Sequence, residues 1–552
     1  MNPLTIFGLV GDEVAMGRQH GELTRELGGW QDTLPFYAGL PARLLGAGRR
    51  DRGRGVLISA LNRLLGAGLT RLDAARPALL RDRTEAFITA LGRPAEERRN
   101  LLVLDAAQNA VGLLGRWGLA HDAGRLAQPG ACSTFAIWGE ASEDGRLLHA
   151  RNFDLPGIGI WERAPTVVFC APAHGLRYGF VATRGADVPG VTAFNEAGIT
   201  VTAHTRFHRE VSFDGAGVVD LGHRIAREAR TLTEAVAIAS ERRSASTWAL
   251  IVSSAREHAA ISIELHAGRS AVALPRPNES FLAVTNRYRV PVMQRGEIAP
   301  SEAWVRYSDG REAAMRRRLE AIAETRQDRN GQGLGVADAM ALLGSHEAGD
   351  VPGWERATGD CLAQSISIQS VVVDASRQVV WVGTGSAPTS AGPWVAVPWR
   401  WGERGAEVIE TPTVLGPEGS WSRGPRSVGF AHFMEAARLE SVRADEAAVE
   451  AAIEAAVRAA PDDPSYRHLA GGIALRSGRF GDATVHLEAA LEAERSRFRR
   501  DQLEGWGRLA RRWAGKRAGA RMASARSGAA DLPPRRHREL GVDFQLLAIM
   551  PP

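Results

Sequence analysis

The chain has 552 residues, 44% of them hydrophobic and 24% charged, enough for a sizeable buried core and for about three domains or one large domain plus an extension. Its three cysteines, Cys132, Cys170 and Cys361, are too few and too scattered for a disulfide framework or a paired-thiol zinc site. The net charge of +5 belongs to one end: Arg495 to Arg538 holds fourteen Lys/Arg against three Asp/Glu, a balance of +11 that leaves −6 for the rest.

Such a charge run is read as a solvated helix face and tail. It carries no interleaved aromatics apart from Trp506 and Trp513, so no nucleic-acid partner is expected. The opening Met-Asn-Pro-Leu-Thr-Ile-Phe-Gly has no basic region leading into an apolar one, and no run reaches the roughly 18 apolar residues of a membrane span. A soluble cytoplasmic protein is the expectation.

In chain order, Pro3 to about Gly130 reads as mostly helical. Gly17-Arg18-Gln19-His20-Gly21-Glu22-Leu23 opens one periodic run, and Leu57–Leu91 and Leu101–Leu119 supply others. The character turns to strands at Cys132. Ser133–Gly139 and Arg146–Asn152 flank Ser142-Glu143-Asp144-Gly145, a hairpin signal. Strands are expected at Thr166–Cys170, Arg177–Thr183, Val191–Asn195 and Ile199–His204, with a turn at Asn195-Glu196-Ala197-Gly198. Helices follow over Gly217–Arg230 and Leu232–Arg242, the second capped by Thr231 with Glu234 three residues on. Strands resume at Trp248–Ser253, Ala259–Leu265, Ser270–Leu274 and Phe281–Asn286, and again at Ser365–Asp374 and Gln378–Thr384. Strand blocks enclosing helical pairs indicate an α+β layered sandwich. Beyond Pro412 comes a Gly/Ser/Pro-rich stretch, a helix over Ala444–Ala460, and a helical hairpin over Pro464–Glu492 that resembles one tetratricopeptide repeat. A single repeat cannot bury its own face, so it is expected to dock onto the core or onto a protein partner.

The residues that carry chemistry centre on Cys132, at the head of a strand, with Arg151 and Asp154 arriving on the next one. A thiol attacks an acyl carbon as thiolate, and an N-terminal cysteine brings its own base, an α-amine that titrates near 8. A carboxylate orients that amine and amide donors stabilise the oxyanion. Cys170 and Cys361 lack such company. His204, His208 and His223 show no ligand-like spacing, so neither metal nor other cofactor is expected.

Cys132-Ser133-Thr134, followed by Gly145-Arg146-Leu147-Leu148-His149-Ala150-Arg151-Asn152-Phe153-Asp154, resembles the start of the nucleophile chain in N-terminal nucleophile hydrolases. The group it resembles is the penicillin acyltransferase-like family of autoproteolytic cysteine acyltransferases and hydrolases, with bile salt hydrolases and ceramidase-type amidases further off. Phe194-Asn195-Glu196-Ala197-Gly198-Ile199, Val284-Thr285-Asn286-Arg287, Ser367–Asp374 with Trp381–Gly385, and Gly17–Gly21 are similar to later and earlier segments of that family, in the same order. Ala131 and Ser133 stand where many relatives carry Gly and Thr.

The resemblance implies a four-layer αββα sandwich; the α-helical extension after Ser427 lies outside that pattern. It implies autocleavage between Ala131 and Cys132 and an amidase or acyltransferase working through acyl-Cys132 on a small amide or thioester. Cys132, Arg151, Asp154, Asn195 and Asn286 are then the catalytic set, with Phe153, Trp161 and Phe194 as acyl-pocket residues. Residues 1–131 become a pro-segment, 132–412 the catalytic domain, 413–427 a linker, 428–515 the helical extension and 516–552 a flexible basic tail; the two cleavage fragments would stay together as a heterodimer. The competing expectations are a Cys/His hydrolase without self-cleavage and a non-catalytic scaffold that binds a protein through the C-terminal helices.

Overall fold

The computed structural model describes residues 3–44, 55–116, 131–300, 302–324, 333–409, 424–441 and 445–523. Fifteen strands are described, in two sheets. The larger has the order β10-β9-β8-β7-β6-β5-β4-β1-β15. Its strands are β1 (Leu4–Gly11), β4 (Pro165–Pro172), β5 (Tyr178–Thr183), β6 (Thr192–Asn195), β7 (Ile199–Thr205), β8 (Trp248–Ser254), β9 (Ala259–His266), β10 (Arg269–Ala273) and β15 (Gly405–Ile409). The smaller has the order β11-β2-β3-β12-β13-β14, built from β2 (Ala131–Gly139), β3 (Gly145–Asp154), β11 (Phe281–Val284), β12 (Ser367–Asp374), β13 (Val379–Gly383) and β14 (Trp394–Pro398).

Strand alternation sorts the side chains into layers. In β1, Leu4 and Ile6 join a core between the sheets, whereas Phe7 and Leu9 point to the other face. In β4, Val167 and Phe169 face inward, and Val168 and Cys170 outward. The outer face of the large sheet is covered by α1 (Glu13–Leu27), α4 (Ala78–Ala90), α6 (Val218–Glu228) and α7 (Leu232–Glu241), whose Met16, Phe87, Leu221 and Ala235 share one core with the sheet. Phe135, Ile137, Leu148 and Val372 of the small sheet pack against Met315, Leu319, Met340 and Leu343 of α9 (Glu302–Glu324) and α10 (Val336–Leu343). The order of layers is helix, sheet, sheet, helix: an α+β sandwich with apolar cores at all three interfaces.

Two parts of the sequence reading change here. The stretch after Pro3 is not helical at its start: Leu4–Gly11 is a strand, parallel to β4 and antiparallel to β15. Its Leu-Thr-Ile-Phe-Gly-Leu-Val-Gly run is short and rich in β-branched and aromatic side chains, and it lies between β4 and β15, one strand in from the sheet edge, with apolar side chains buried on both faces. The C-terminal region holds five described helices, two more than the helix over Ala444–Ala460 and the hairpin over Pro464–Glu492 read from the sequence: α11 (Pro425–Ser441), α12 (Glu446–Ala459), α13 (Pro464–Arg476), α14 (Phe480–Ala493) and α15 (Arg497–Ala523). The linker expected at 413–427 lies largely outside the described residues, as do 524–552 of the tail.

The remaining helices are α2 (Thr33–Leu44), α3 (Gly55–Ala75), α5 (Val103–Arg116) and α8 (Pro291–Gln294). The Gly17–Gly21 motif sits on α1, capped by Asp12, whose carboxylate accepts from Ala15 N at 2.7 Å. A Cβ at Gly21 would stand 2.5 Å from Phe87 O and 2.6 Å from Ala90 Cβ, so these glycines let α1 and α4 cross in near contact. Between them His20 Nδ1 lies 3.1 Å from Asp187, which also pairs with Arg83; Arg83 in turn holds Glu13 at 2.8 Å. The motif is therefore a packing and charge-pairing device beneath the large sheet.

Candidate active site

Cys132 is the second residue of β2 and is only 1% exposed. Its register partner on β3 is Phe153, and the preceding Ala131 pairs with Asp154. The β2–β3 hairpin thus delivers the thiol, the Ala131–Cys132 peptide bond and the Asp154 carboxyl to one place. Arg151, also on β3, reaches across to the large sheet. Its Nη2 donates to Cys132 Sγ at 3.4 Å and to Ala203 O at 2.6 Å, and its Nη1 donates to Val191 O and Thr192 Oγ1. Cys132 Sγ also donates to Ala203 O, at 3.7 Å. The guanidinium carbon lies 4.8 Å from the centre of the Phe153 ring.

Asn286, two residues past the end of β11, accepts from the Cys132 backbone N at 3.0 Å through Oδ1 and donates to Thr205 O at 3.2 Å through Nδ2. The same Oδ1 accepts from Arg311 Nη2 at 2.8 Å, and Arg311 Nε donates to Ser133 Oγ at 3.2 Å. Asp154 accepts from Ser367 Oγ at 2.6 Å through Oδ1, while its Oδ2 makes no hydrogen bond. Burial pushes the Asp154 carboxyl up to about 6, against the pull of Arg311, the Ser367 bond and Arg151.

Arg311 is absent from the sequence reading, yet it touches both Asn286 and the residue after Cys132. The signal was present in α9, where Tyr307, Ser308, Arg311, Met315 and Leu319 are buried at helical spacing. An arginine on an apolar stripe is an anomaly that asks for a buried partner. Asp154 is the largest charge opposing the burial of its guanidinium. Ser367, which fixes the Asp154 rotamer, has no comparable signal.

Asn195 is not brought to the thiol. Its Nδ2 donates to Ala226 O and Ala229 O, and its Oδ1 accepts from Ala197 N and Ile199 N. All four hydrogen bonds of the amide are spent closing the β6–β7 turn and tying it to the C-terminal end of α6, so a role on the reacting atoms is corrected to a structural one. Phe194 is likewise elsewhere. It stacks on Trp399 at 4.7 Å in the core between the sheets. Phe153 and Trp161 do share the apolar cluster of Cys132, meeting edge to face at 5.3 Å, and Tyr37 of α2 lies 6.4 Å beyond.

The other thiols differ in surroundings. Burial pushes both Cys170 and Cys361 up to about 12, so neither supplies thiolate near neutral pH. Among the described residues no histidine bonds the Cys132 sulfur. His204, the nearest along β7, is occupied by Thr134 Oγ1 at 2.6 Å and Thr285 O at 3.0 Å, and burial drives it well below the usual imidazole range. No group of three or more His, Cys, Asp or Glu among the described residues could hold a metal ion. No described helix is long and apolar enough to cross a membrane.

No family model matches the chain, and no curated protein matches it. Solved structures do. A Caenorhabditis elegans N-acylethanolamine-hydrolyzing acid amidase ortholog is 14% identical at a TM-score of 0.30, covering 44% of this chain and 93% of its own. A mutant of conjugated bile acid hydrolase from Clostridium perfringens is 10% identical at a TM-score of 0.33, covering 52% and 99%. A second variant of that hydrolase is 10% identical at 0.32, covering 52% and 98%.

Proposed function

We propose that this chain is a self-processing cysteine amidase or acyltransferase of the N-terminal nucleophile type. The observation that carries the reading is the double hold on one residue: Cys132 has its sulfur on Arg151 and its backbone nitrogen on Asn286, with Asp154 opposite the preceding peptide bond. A structural cysteine needs neither.

In the first step the Cys132 sulfur attacks the carbonyl carbon of Ala131. The C–N bond breaks as the nitrogen takes a proton, leaving a thioester, and water hydrolyses that thioester to a carboxylate at Ala131 and a free α-amine at Cys132. In turnover the same sulfur attacks a substrate amide, the amine carries the thiol proton to the departing nitrogen, and water or an acceptor amine resolves the acyl-Cys132. Arg151 stabilises the thiolate. Asp154 Oδ2, free of other bonds, takes the Cys132 ammonium, and its carboxyl must ionise to do so. Asn286 Nδ2, on a long bond to Thr205 O in the intact chain, is assigned to the oxyanion, and Arg311 keeps Asn286 Oδ1 turned to the nucleophile's nitrogen. Phe153 and Trp161 form the wall against which the acyl group packs. The absence of a histidine on the sulfur among the described residues favours the α-amine as base.

Intact mass measurement of wild type beside Cys132→Ala tests the reading. Wild type is expected as pieces of about 14 and about 45 kDa, the larger starting at Cys132, and the variant as one chain. A wild-type chain that stays whole while still consuming amides would move the base elsewhere. One that stays whole and inert would sink the proposal.

A further inference from the structure

We propose that Arg206 is a substrate-binding residue that receives a carboxylate, so that the preferred substrate of Cys132 carries an anionic group close to the scissile amide. The inference rests on the function proposed above. Arg206 directly follows β7, the strand whose Ala203 carbonyl takes the Cys132 thiol and Arg151. Its Nη1 donates to Thr205 O at 3.1 Å and to Thr285 O at 2.6 Å. Thr205 O also accepts from Asn286 Nδ2, and Asn286 holds the Cys132 nitrogen, so only that carbonyl and that amide lie between Arg206 and the nucleophile.

One nitrogen therefore does all of the anchoring. The other edge of the guanidinium, Nε and Nη2, makes no hydrogen bond, although the side chain is fully buried. That edge is the two-donor fork that matches a carboxylate in bidentate geometry. The plane of the fork is restrained from one side by Tyr288, whose ring centre lies 6.0 Å from the guanidinium carbon and whose hydroxyl is tied to Leu265 O at 2.8 Å. The protein's own candidate partner does not fill the fork. Glu264 is near enough to oppose the cost of burying the cation, but its two oxygens accept from Arg289 N at 2.7 Å and Val290 N at 3.1 Å, and it forms no ion pair with Arg206. A buried cation with two unsatisfied donors is unfavourable unless an anion completes it. Holding two backbone carbonyls would need no more than a lysine.

The fork could take a carboxylate from either side of the amide: from the amine portion, as in an N-acyl amino acid, or from the acyl portion, as in a monoamide of a dicarboxylic acid. The experiment measures kcat/KM of processed enzyme on an N-acylglycine, on the matched N-acyl ethylamine, and on the monoamide of a dicarboxylic acid against its monocarboxylic counterpart. Wild type is expected to prefer one carboxylate-bearing member over its neutral match by about ten- to a hundredfold, and the pair that shows it identifies the side. In Arg206→Met that ratio falls to near one. In Arg206→Lys, which keeps the charge and loses the fork, it falls part of the way. A wild type that cleaves the neutral amides with no preference in either pair overturns the role of Arg206 alone. So does a ratio that survives in Arg206→Met. A wild type that neither self-processes nor cleaves any of the four overturns the proposed function itself. Should Arg206→Met fail to fold, competitive inhibition of wild type by a simple carboxylate relative to its primary amide reads the same site, and equal inhibition overturns the proposal.

Discussion

At the scale of single residues, the buried carboxyls are the most informative groups because their surroundings pull in different directions. Asp187 sits between Arg83 and His20 and stays well below the usual carboxylate range despite complete burial. Asp105 forms no ion pair among the described residues, and burial outweighs the pull of Arg76. It accepts from Trp248 Nε1 at 2.7 Å and lies near Val218 N, yet burial pushes it up to about 7 from an ordinary 3.8. A folded-state value above the unfolded one means that the protonated form is the one the fold favours. The contribution is thus complete below about pH 4 and is lost as the pH rises through 7. Asp105→Asn keeps an acceptor for Trp248 and removes the ionisation. It is expected to match wild type in urea unfolding at pH 4 and to be more stable by a few kcal/mol at pH 8. Equal stability of the two proteins across that range would show that Asp105 is not held neutral.

At the scale of elements, the α1–α4 contact shows how a motif legible as a string acquires its meaning from packing. Gly17 and Gly21 repeat at four residues, one face of one helix, and a Cβ at Gly17 would stand 2.2 Å from Arg83 O. Gly39 lies on α2 with nothing within 4 Å of its Cβ position. Gly21→Ala is expected to destabilise by about 1–3 kcal/mol through overpacking, and Gly39→Ala to stabilise by up to about 1 kcal/mol through helix propensity. Denaturant melts of both variants check the pair. A neutral Gly21→Ala would mean that the two helices can separate at little cost. The β2–β3 hairpin is a second such case: its Asp-Gly turn and the two strands flanking it were readable, and its register sets Ala131 against Asp154.

At the scale of the whole molecule, the five C-terminal helices are joined to the sandwich by buried charge. Arg356 lies among Asp350, Asp360 and Glu494, with Glu494 at 3.7 Å, and Glu494 also meets Arg499 at 3.3 Å. Arg499 donates to Thr358 O at 3.3 Å, and Ser496 bonds Asp350. The segment so clasped runs on to Leu362, whose carbonyl holds Asn152 at 3.0 Å, and to Ser367, which holds Asp154. Glu494→Gln would leave two buried guanidiniums short of a countercharge, at an expected cost of about 3–5 kcal/mol. Wild type is expected to unfold in one denaturant transition and the variant at lower denaturant. Two separated transitions in wild type would show that the extension is an independent unit.

How much of this could be read beforehand depends on the range of the interaction. Local pattern decided the strand pairs around Cys132, the Thr231 cap, which bonds Glu234 N at 3.1 Å, and the candidacy of Cys132, Arg151 and Asp154, because turns, caps and alternation act over a few residues. Tertiary structure alone decided that Leu4–Gly11 enters a sheet, since its strand partners lie some 160 and 400 positions away. It alone separated Asn286, which holds the Cys132 nitrogen, from Asn195, which closes a turn, because both are asparagines near strand ends and differ only in what surrounds them. Arg311 and Arg206 were hidden for the same reason. A chain written mostly in arginine for its cations does not mark which of them are buried, and burial is a property of the folded neighbourhood.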